Sequence, residues 1–272
     1  MNLINKTFLA CTLLQIPAAA ATILGPGHLD IRVNVDANGA WTTDMKHDGS
    51  NSGLDPDTWT DSQTVSANTD SVIFIAEEQF LTRPLSDTWD FLGTSGGEKV
   101  WVFPADYDPD VAFPGFNTEN TLSANLGIWL PAHEQVNSGQ WIEIRLLDAA
   151  YSGEAASANF SLWTIPSPNG PMSWMSTANG VASDGTDDVF LLGAGGHSHM
   201  NWGFSEIGIY DLTFQGRTIL ASGEESLSDP FTLRFGVGAT TIPEPAISSF
   251  LCVSSAFMLV FKRRRGLSKI PA

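Results

Sequence analysis

Cysteine is scarce in this chain, and neither of its two cysteines lies in the central part. Cys11 falls in an apolar segment near the N-terminus and Cys252 in a second apolar segment near the C-terminus. Residues 22–239 can therefore form no disulfide, no zinc–thiolate site and no cysteine nucleophile. The stability of this part has to come from buried apolar surface, for which a domain of about 220 residues is large enough.

Basic residues are also few. The chain has 13 Lys and Arg against 30 Asp and Glu, a formal net charge of −17. Between Thr22 and Ile242 only seven basic residues accompany 29 acidic ones, whereas five of the other basic residues lie within residues 262–272. A surface this acidic repels phosphate backbones, which excludes a nucleic-acid partner.

Motifs typical of catalysis are missing from the sequence. It contains no Gly-x-Ser-x-Gly elbow, no His-Glu-x-x-His helix and no glycine-rich loop for phosphate. Carboxylates are so numerous that no pair stands out as a general acid and base. The sequence therefore predicts a protein that is not an enzyme.

The N-terminus has the three parts of a secretory signal peptide. Lys6 precedes the apolar run Thr7–Leu14, and small residues follow at Ala18–Ala21. The apolar run is too short for a membrane span, and Pro17 interrupts it. We expect residues 1–21 to be a cleaved signal peptide and the body of the protein to be exported.

The C-terminal segment, residues 240–272, predicts a second targeting element. Ala246–Phe261 contains no charged residue, and at a rise of about 1.5 Å per residue its sixteen residues give a helix of about 24 Å, marginal for a membrane span. The basic tail 262–272 follows at once. The positive-inside rule then places this end in the cytoplasm and the acidic body outside.

A tripeptide before this helix suggests what it is for. Pro243-Glu244-Pro245, a short apolar helix and a basic cluster containing Arg263, Arg264 and Arg265 together resemble the PEP-CTERM sorting signal of Gram-negative bacteria. That resemblance implies an exosortase-type processing protease as partner, insertion in the inner membrane before processing, and delivery to the cell surface or an exopolysaccharide matrix. A permanent tail anchor is the alternative.

The body itself has the pattern of β-strands. Leu29, Ile31, Val33 and Val35 alternate with polar residues, and the turn sequence Asp36–Gly39 precedes Trp41, which predicts a hairpin. Six further short runs lie between Gly, Pro, Asn and Asp clusters, at Ser71–Ala76, Lys99–Phe103, Gln140–Leu147, Ala158–Trp163, Ile209–Phe214 and Phe231–Val237. We predict one all-β domain over residues 22–239, an antiparallel β-sandwich of the immunoglobulin-like or jelly-roll-like group.

Several short motifs in this body resemble the choice-of-anchor M domain, a surface-anchored domain. They are Gly27–Asp30, Phe91–Gly93, Val100–Pro104, Gly115–Thr118, His197–Phe204 and Gly208–Tyr210. The resemblance implies an exported protein without enzymatic activity, from a family that is in several lineages associated with metal-uptake transporters. The sequence departs from the common pattern at Leu29, Ile31 and Gly203, none of which replaces a polar group.

Histidine is the one residue type that suggests chemistry, although the chain has only five. On a strand, His197 and His199 project to the same face about 6.6–7 Å apart, and His28 and Asp30 repeat this spacing. If the two strands are neighbours, three imidazoles and one carboxylate meet. Such a set suits Zn²⁺, or less well another divalent metal such as Mn²⁺ or Cu²⁺. The alternative is that these histidines only bond the strands together.

Two further polar residues bear on this site. We expect Asn201 to lie on the same strand as His197 and His199 and to orient one of these histidines without binding the metal itself. Trp202 is expected to point into the core. His47 is an alternative ligand, although its context Lys46–Gly49 is typical of a turn. Simple Ca²⁺ sites at Asp106–Asp110 or Asp184–Asp188 are also left open.

Tryptophan supplies the second functional hypothesis. All nine tryptophans lie in the body, and Trp59, Trp89 and Trp174 occur in polar contexts, where an indole can stack on a sugar ring. Two functions follow: an exported, non-catalytic protein that binds a divalent metal through its histidines, or a polysaccharide-binding or structural matrix module whose histidines are structural.

Overall fold

The structure is a computed structural model that describes residues 21–49, 63–133, 136–166, 170–181 and 188–238. The predicted signal peptide, apart from Ala21, lies outside the described residues, and so do the Pro-Glu-Pro motif, the C-terminal helix, the basic tail and Trp59. Within the described ranges, no helix is both long enough and apolar enough to cross a membrane.

The described part of the chain is mostly β-strand, as predicted, and its helical content is confined to the 3-10 turns Asp87–Leu92 and Ser123–Asn125. Its strands are β1 Thr22–Leu24, β2 Gly27–Val35, β3 Trp41–Gly49, β4 Gln63–Ser66, β5 Ser71–Ile75, β6 Phe80–Thr82, β7 Lys99–Phe103, β8 Ala112–Asn117, β9 Trp141–Ser152, β10 Phe160–Thr164, β11 Met172–Ser176, β12 Val189–Gly193, β13 His197–His199, β14 Asn201–Phe204, β15 Gly208–Ile219, β16 Glu225–Leu227 and β17 Phe231–Val237. Each predicted strand overlaps one of these.

Three sheets make up this fold. The first sheet has the order β1-β5-β17-β15-β9-β12, with β16 beside β15. The second sheet is β11-β10-β14-β7-β6, and the third sheet is β13-β8-β2-β3-β4. Most neighbouring strands are antiparallel, as predicted, but β1–β5, β5–β17 and β2–β8 are parallel. Parallel neighbours need a long connection, and between β2 and β8 residues 36–111 supply it.

The predicted hairpin of β2 and β3 is present and is closed by a tight turn. Asp36 Oδ1 accepts hydrogen bonds from the backbone N–H groups of Asn38 and Ala40, and these donors hold the pKa of Asp36 below its usual value. Gly39 has a φ of +80°, which only glycine adopts easily. The turn fixes the register of β2, and with it the position of His28 and Asp30.

Side chains from all three sheets form one apolar core. Trp202 is fully buried, as predicted, and its ring lies 5.2 Å from Phe116 of the third sheet and 5.3 Å from Phe235 of the first. Phe160 of the second sheet is 5.9 Å away. The fold is therefore β-sandwich-like, with Trp202 where the sheets meet.

Candidate metal centre

The third sheet brings the two predicted ligand pairs together. His28 and Asp30 lie on β2, and His197 and His199 on β13. The two strands are not neighbours, because β8 lies between them. Across the three strands Asp30 pairs with Gly115 and Gly115 pairs with His199. The condition of neighbouring strands is therefore not met, yet the side chains still meet over the middle strand.

Gly115 is the reason that they can meet. A Cβ atom at this position would lie 2.7 Å from His199 Nδ1 and 2.7 Å from the carbonyl oxygen of Ser198. The missing side chain leaves the space in which the ring of His199 leans towards β2. Sequence reasoning placed Gly115 only within a family motif and did not connect it with the histidines.

We expect Gly115→Ala to weaken metal binding by about tenfold to a hundredfold, because displaced ligands lose affinity as they do when their supporting residues are removed. The added methyl group meets backbone as well as the ring, so a rotamer change of His199 alone does not relieve the clash. Competition with a chromogenic zinc chelator measures the affinity.

Gly193→Ala is the matched control for this prediction, because a Cβ there would have its nearest neighbour, in Trp141, at 4.0 Å. The control is expected to bind metal as the wild type does. Equal affinities of the two glycine variants would show that the gap at Gly115 does not shape the cluster.

The four ligand atoms have the spacing of a small coordination sphere. His197 Nε2 is 2.8 Å from Asp30 Oδ1, His28 Nε2 is 3.1 Å from His199 Nε2, and His28 Nε2 is 3.7 Å from Asp30 Oδ1. All four atoms lie within 4.8 Å of one another. Ligands about 2.0–2.1 Å from a tetrahedral ion are about 3.3 Å apart, so small movements would suffice for one ion.

One oxygen of the buried Asp30 carboxylate lies beside two histidines without forming a hydrogen bond. Asp30 is only 7% exposed, and its Oδ1 forms no hydrogen bond with any described residue. His197 Nε2 is close to this oxygen, but the two atoms are not aligned as donor and acceptor. A buried carboxylate without a hydrogen bond or a cation is costly. A cation at the centre of the cluster would remove that cost.

The environment keeps His199 in the form that binds metals. Burial lowers the pKa of His199 to about 4, and the nearby His197 and His28 add to this shift. His199 is therefore neutral at pH 7. A neutral imidazole keeps a nitrogen lone pair for a metal.

Two neighbours support the cluster from outside. The ring of Phe113 is stacked on that of His199, with centroids 3.6 Å apart and planes 4° apart. Glu119 Oε1 lies 3.6 Å from His197 Nδ1, and Glu119 Oε2 accepts a hydrogen bond from Asn117 Nδ2. A carboxylate at the outer nitrogen of a histidine is typical of metal sites. Sequence reasoning missed Phe113 and Glu119, since nothing local links them to the histidines.

The expectation for Asn201 is wrong, because the chain changes sheets before this residue. Strand β13 ends at His199, and Asn201 begins β14 in the second sheet. Asn201 Oδ1 accepts a hydrogen bond from the N–H of Ala105, and Nδ2 donates to the carbonyl of Trp163. Asn201 thus joins parts of the second sheet and orients no histidine.

His47 and His133 lie apart from the cluster. His47 is in strand β3 and not in a turn; it is 1% exposed and its Nε2 is 3.2 Å from the carbonyl oxygen of Gly25. His133 is stacked on Trp174, with centroids 4.8 Å apart. In the described part of the chain, His28, Asp30, His197 and His199 are the one group of three or more His, Cys, Asp or Glu side chains with the spacing of metal ligands.

Of the three tryptophans proposed for sugar stacking, the two that the structure describes, Trp89 and Trp174, are at least partly buried. Trp174 lies in strand β11 and is 8% exposed, so its indole is not open for a sugar ring as its polar context suggested. Trp89 is partly buried against Phe91 and Trp163. Of the acidic loops, Asp108 Oδ1 accepts from the N–H of Asp110 in a local turn.

Comparisons with known proteins add no relative: no family model, no curated protein and no solved structure matches this chain.

Proposed function

We propose that this chain is an exported, non-catalytic surface or matrix protein whose β domain binds one divalent metal ion through His28, Asp30, His197 and His199. One observation supports the binding site above all others. Two segments about 170 residues apart in sequence place four ligand atoms within 4.8 Å of one another, around a buried carboxylate oxygen without a hydrogen bond.

The ligand chemistry favours zinc. Three imidazole nitrogens and one carboxylate oxygen make a four-coordinate set that suits Zn²⁺, with Mn²⁺ and Cu²⁺ as weaker candidates. Four protein ligands would fill a tetrahedral shell, whereas catalytic zinc keeps one position for water or substrate. The donor count therefore supports binding without catalysis.

The location is part of the same proposal. The signal peptide of residues 1–21 would direct export, and the sorting signal of residues 240–272 would be read by an exosortase-type protease of a Gram-negative bacterium. Residues 22–239 would form the mature domain, a sandwich of the immunoglobulin-like or jelly-roll-like group. The absence of cysteine from residues 22–239 means that no disulfide has to form in the new compartment.

A polysaccharide-binding or structural module with structural histidines is the second candidate. The short distances His28–His199 and His197–Asp30 support it, because the same contacts can hold β2 and β13 together without an ion. The two candidates differ in one measurable property, the stoichiometric uptake of metal.

Metal stoichiometry tests the proposal. Purified protein that is stripped with a chelator and dialysed against Zn²⁺ is expected to retain one equivalent, measured by plasma mass spectrometry. His197→Ala and His199→Ala should each lose it, because each removes one imidazole from the four-ligand set. His133→Ala is the matched control and should retain it. No retained metal in the wild type would leave the histidines with a structural role.

A further inference from the structure

A second site lies on the other side of the molecule's large sheet from the core. On β9 and β15, Glu143, Arg145 and Arg217 alternate with core residues and so lie on the outer face of the first sheet. The segment 129–133 passes over them. Together they enclose a pocket of about 200 Å³, lined by Trp129, Leu130, Pro131, Ala132, His133, Glu143, Arg145, Val189 and Arg217.

Two of the few arginines of this acidic protein line the pocket. Arg145 and Arg217 both contact the carboxylate of Glu143, which is 4% exposed. Arg217 also pairs with Glu225, but that side chain is 51% exposed and does not line the pocket. Each guanidinium thus has one close carboxylate partner, Glu143 for Arg145 and Glu225 for Arg217, and only the first of these carboxylates lines the pocket.

Arg145 still has donors for a ligand. Its Nε donates to Glu143, whereas its terminal amino groups form no hydrogen bond with any described residue. The paired N–H groups of a guanidinium match the two oxygens of a carboxylate. In contrast, the guanidinium groups of Arg32 and Arg234 are each already engaged by two bonds to one carboxylate, that of Asp44 or Asp211.

The rest of the lining is apolar or aromatic. The guanidinium of Arg217 lies 4.7 Å from the ring centroid of Trp129, which holds it against the pocket wall. Leu130, Pro131 and Val189 add apolar surface. The volume of about 200 Å³ is below the usual range for drug-sized ligands, so the pocket fits a single small ring.

We propose that this pocket binds a monocarboxylate carried on one small ring, such as a uronic acid unit of an acidic polysaccharide. The terminal N–H groups of Arg145 match the two oxygens of a single carboxylate. The apolar wall beside Trp129 receives the body of the ring. This site is separate from the histidine cluster and does not depend on metal binding.

Isothermal titration calorimetry on the purified, chelator-treated full chain tests whether the pocket binds a ring carboxylate. The probes are galacturonate and glucuronate, benzoate as a carboxylate on an aromatic ring, neutral methyl galactoside, and inorganic phosphate. Binding of a ring carboxylate, with methyl galactoside and phosphate at least tenfold weaker, is expected. Tighter binding of the uronates than of benzoate would identify the ligand as an acidic sugar. Tighter binding of benzoate would identify it as an aromatic acid.

Arg145→Gln is expected to lower the affinity for a ring carboxylate at least tenfold, because the charged hydrogen bonds between the guanidinium and the ligand are lost. Arg234→Gln, which removes a paired guanidinium from the same sheet outside the pocket, should bind as the wild type does. Circular dichroism checks that both variants fold. No binding of any ring carboxylate, equal binding of the neutral sugar, or an equal effect of the two arginine variants would overturn the proposal.

Discussion

Zinc is expected to stabilise the wild-type protein by about 2.7 kcal/mol at a free concentration one hundred times the dissociation constant, and by about 4.1 kcal/mol at one thousand times. The reason is that the four ligands meet only in the folded state, so that the ion binds the native protein and not the unfolded chain. Urea unfolding with and without zinc, monitored by circular dichroism, measures this gain.

Asp30→Asn separates metal binding from a structural role of the same cluster. In chelator-treated protein this variant is expected to be at least as stable as the wild type, because it removes a buried charge that has no hydrogen bond at Oδ1. The gain from zinc should nevertheless be lost, since a neutral amide oxygen is a poor zinc ligand compared with a carboxylate.

The exposed Asp148→Asn provides the control for the change of charge and should keep the whole gain from zinc. If the histidines served only to hold β2 and β13 together, the opposite pattern is expected. Asp30→Asn would then destabilise the chelator-treated protein, because the contact of Asp30 with His197 would weaken, and zinc would stabilise neither protein.

Trp202→Ala is expected to have the largest effect on stability, a loss of about 3–5 kcal/mol in the free energy of unfolding. The indole is fully buried among aromatic rings of all three sheets, so its removal leaves a large cavity in the core. Its Nε1 also donates to the carbonyl of Pro114, so the substitution leaves a buried acceptor without its donor. Since most domains are stable by only 5–15 kcal/mol, this is a large fraction.

Trp89→Ala is the comparison for this substitution, because Trp89 is only partly buried and packs on a small separate cluster. We expect it to cost clearly less than Trp202→Ala in urea unfolding of chelator-treated protein. Equal losses at the two positions would mean that Trp202 is not the centre of the packing. Pro114 precedes Gly115, so Trp202→Ala should also weaken zinc binding through β8.

Local features of the fold could be predicted well. The strands Lys99–Phe103 and Phe231–Val237 agree with the predicted bounds at both ends, because alternation and flanking turn residues are properties of the segment itself. Alternation also placed His197 with His199, and His28 with Asp30, on common faces. The longer strands β9 and β15 extend beyond their predicted ends, where pairing with each other supports residues that are not apolar.

Features that depend on contacts between distant parts of the chain could not be predicted from local sequence patterns. Asn201 was placed with the histidines because it continues their alternation, and nothing in the sequence shows that the chain crosses to another sheet at Met200. Trp174 was a candidate for sugar stacking because its neighbours in sequence are polar, yet its ring packs on those of His133 and Phe190. In both cases contacts with residues distant in sequence decide the environment.

The sequence by itself determined the strand character of the body, its acidity, its lack of cysteine and the two ligand pairs, since composition and a period of two are local. Only the tertiary structure decided that β8 separates these pairs and that Gly115 leaves the space in which they meet. It also brought Arg145 and Arg217 to one pocket. Strand order and register depend on packing between segments far apart in the chain, which no local pattern encodes.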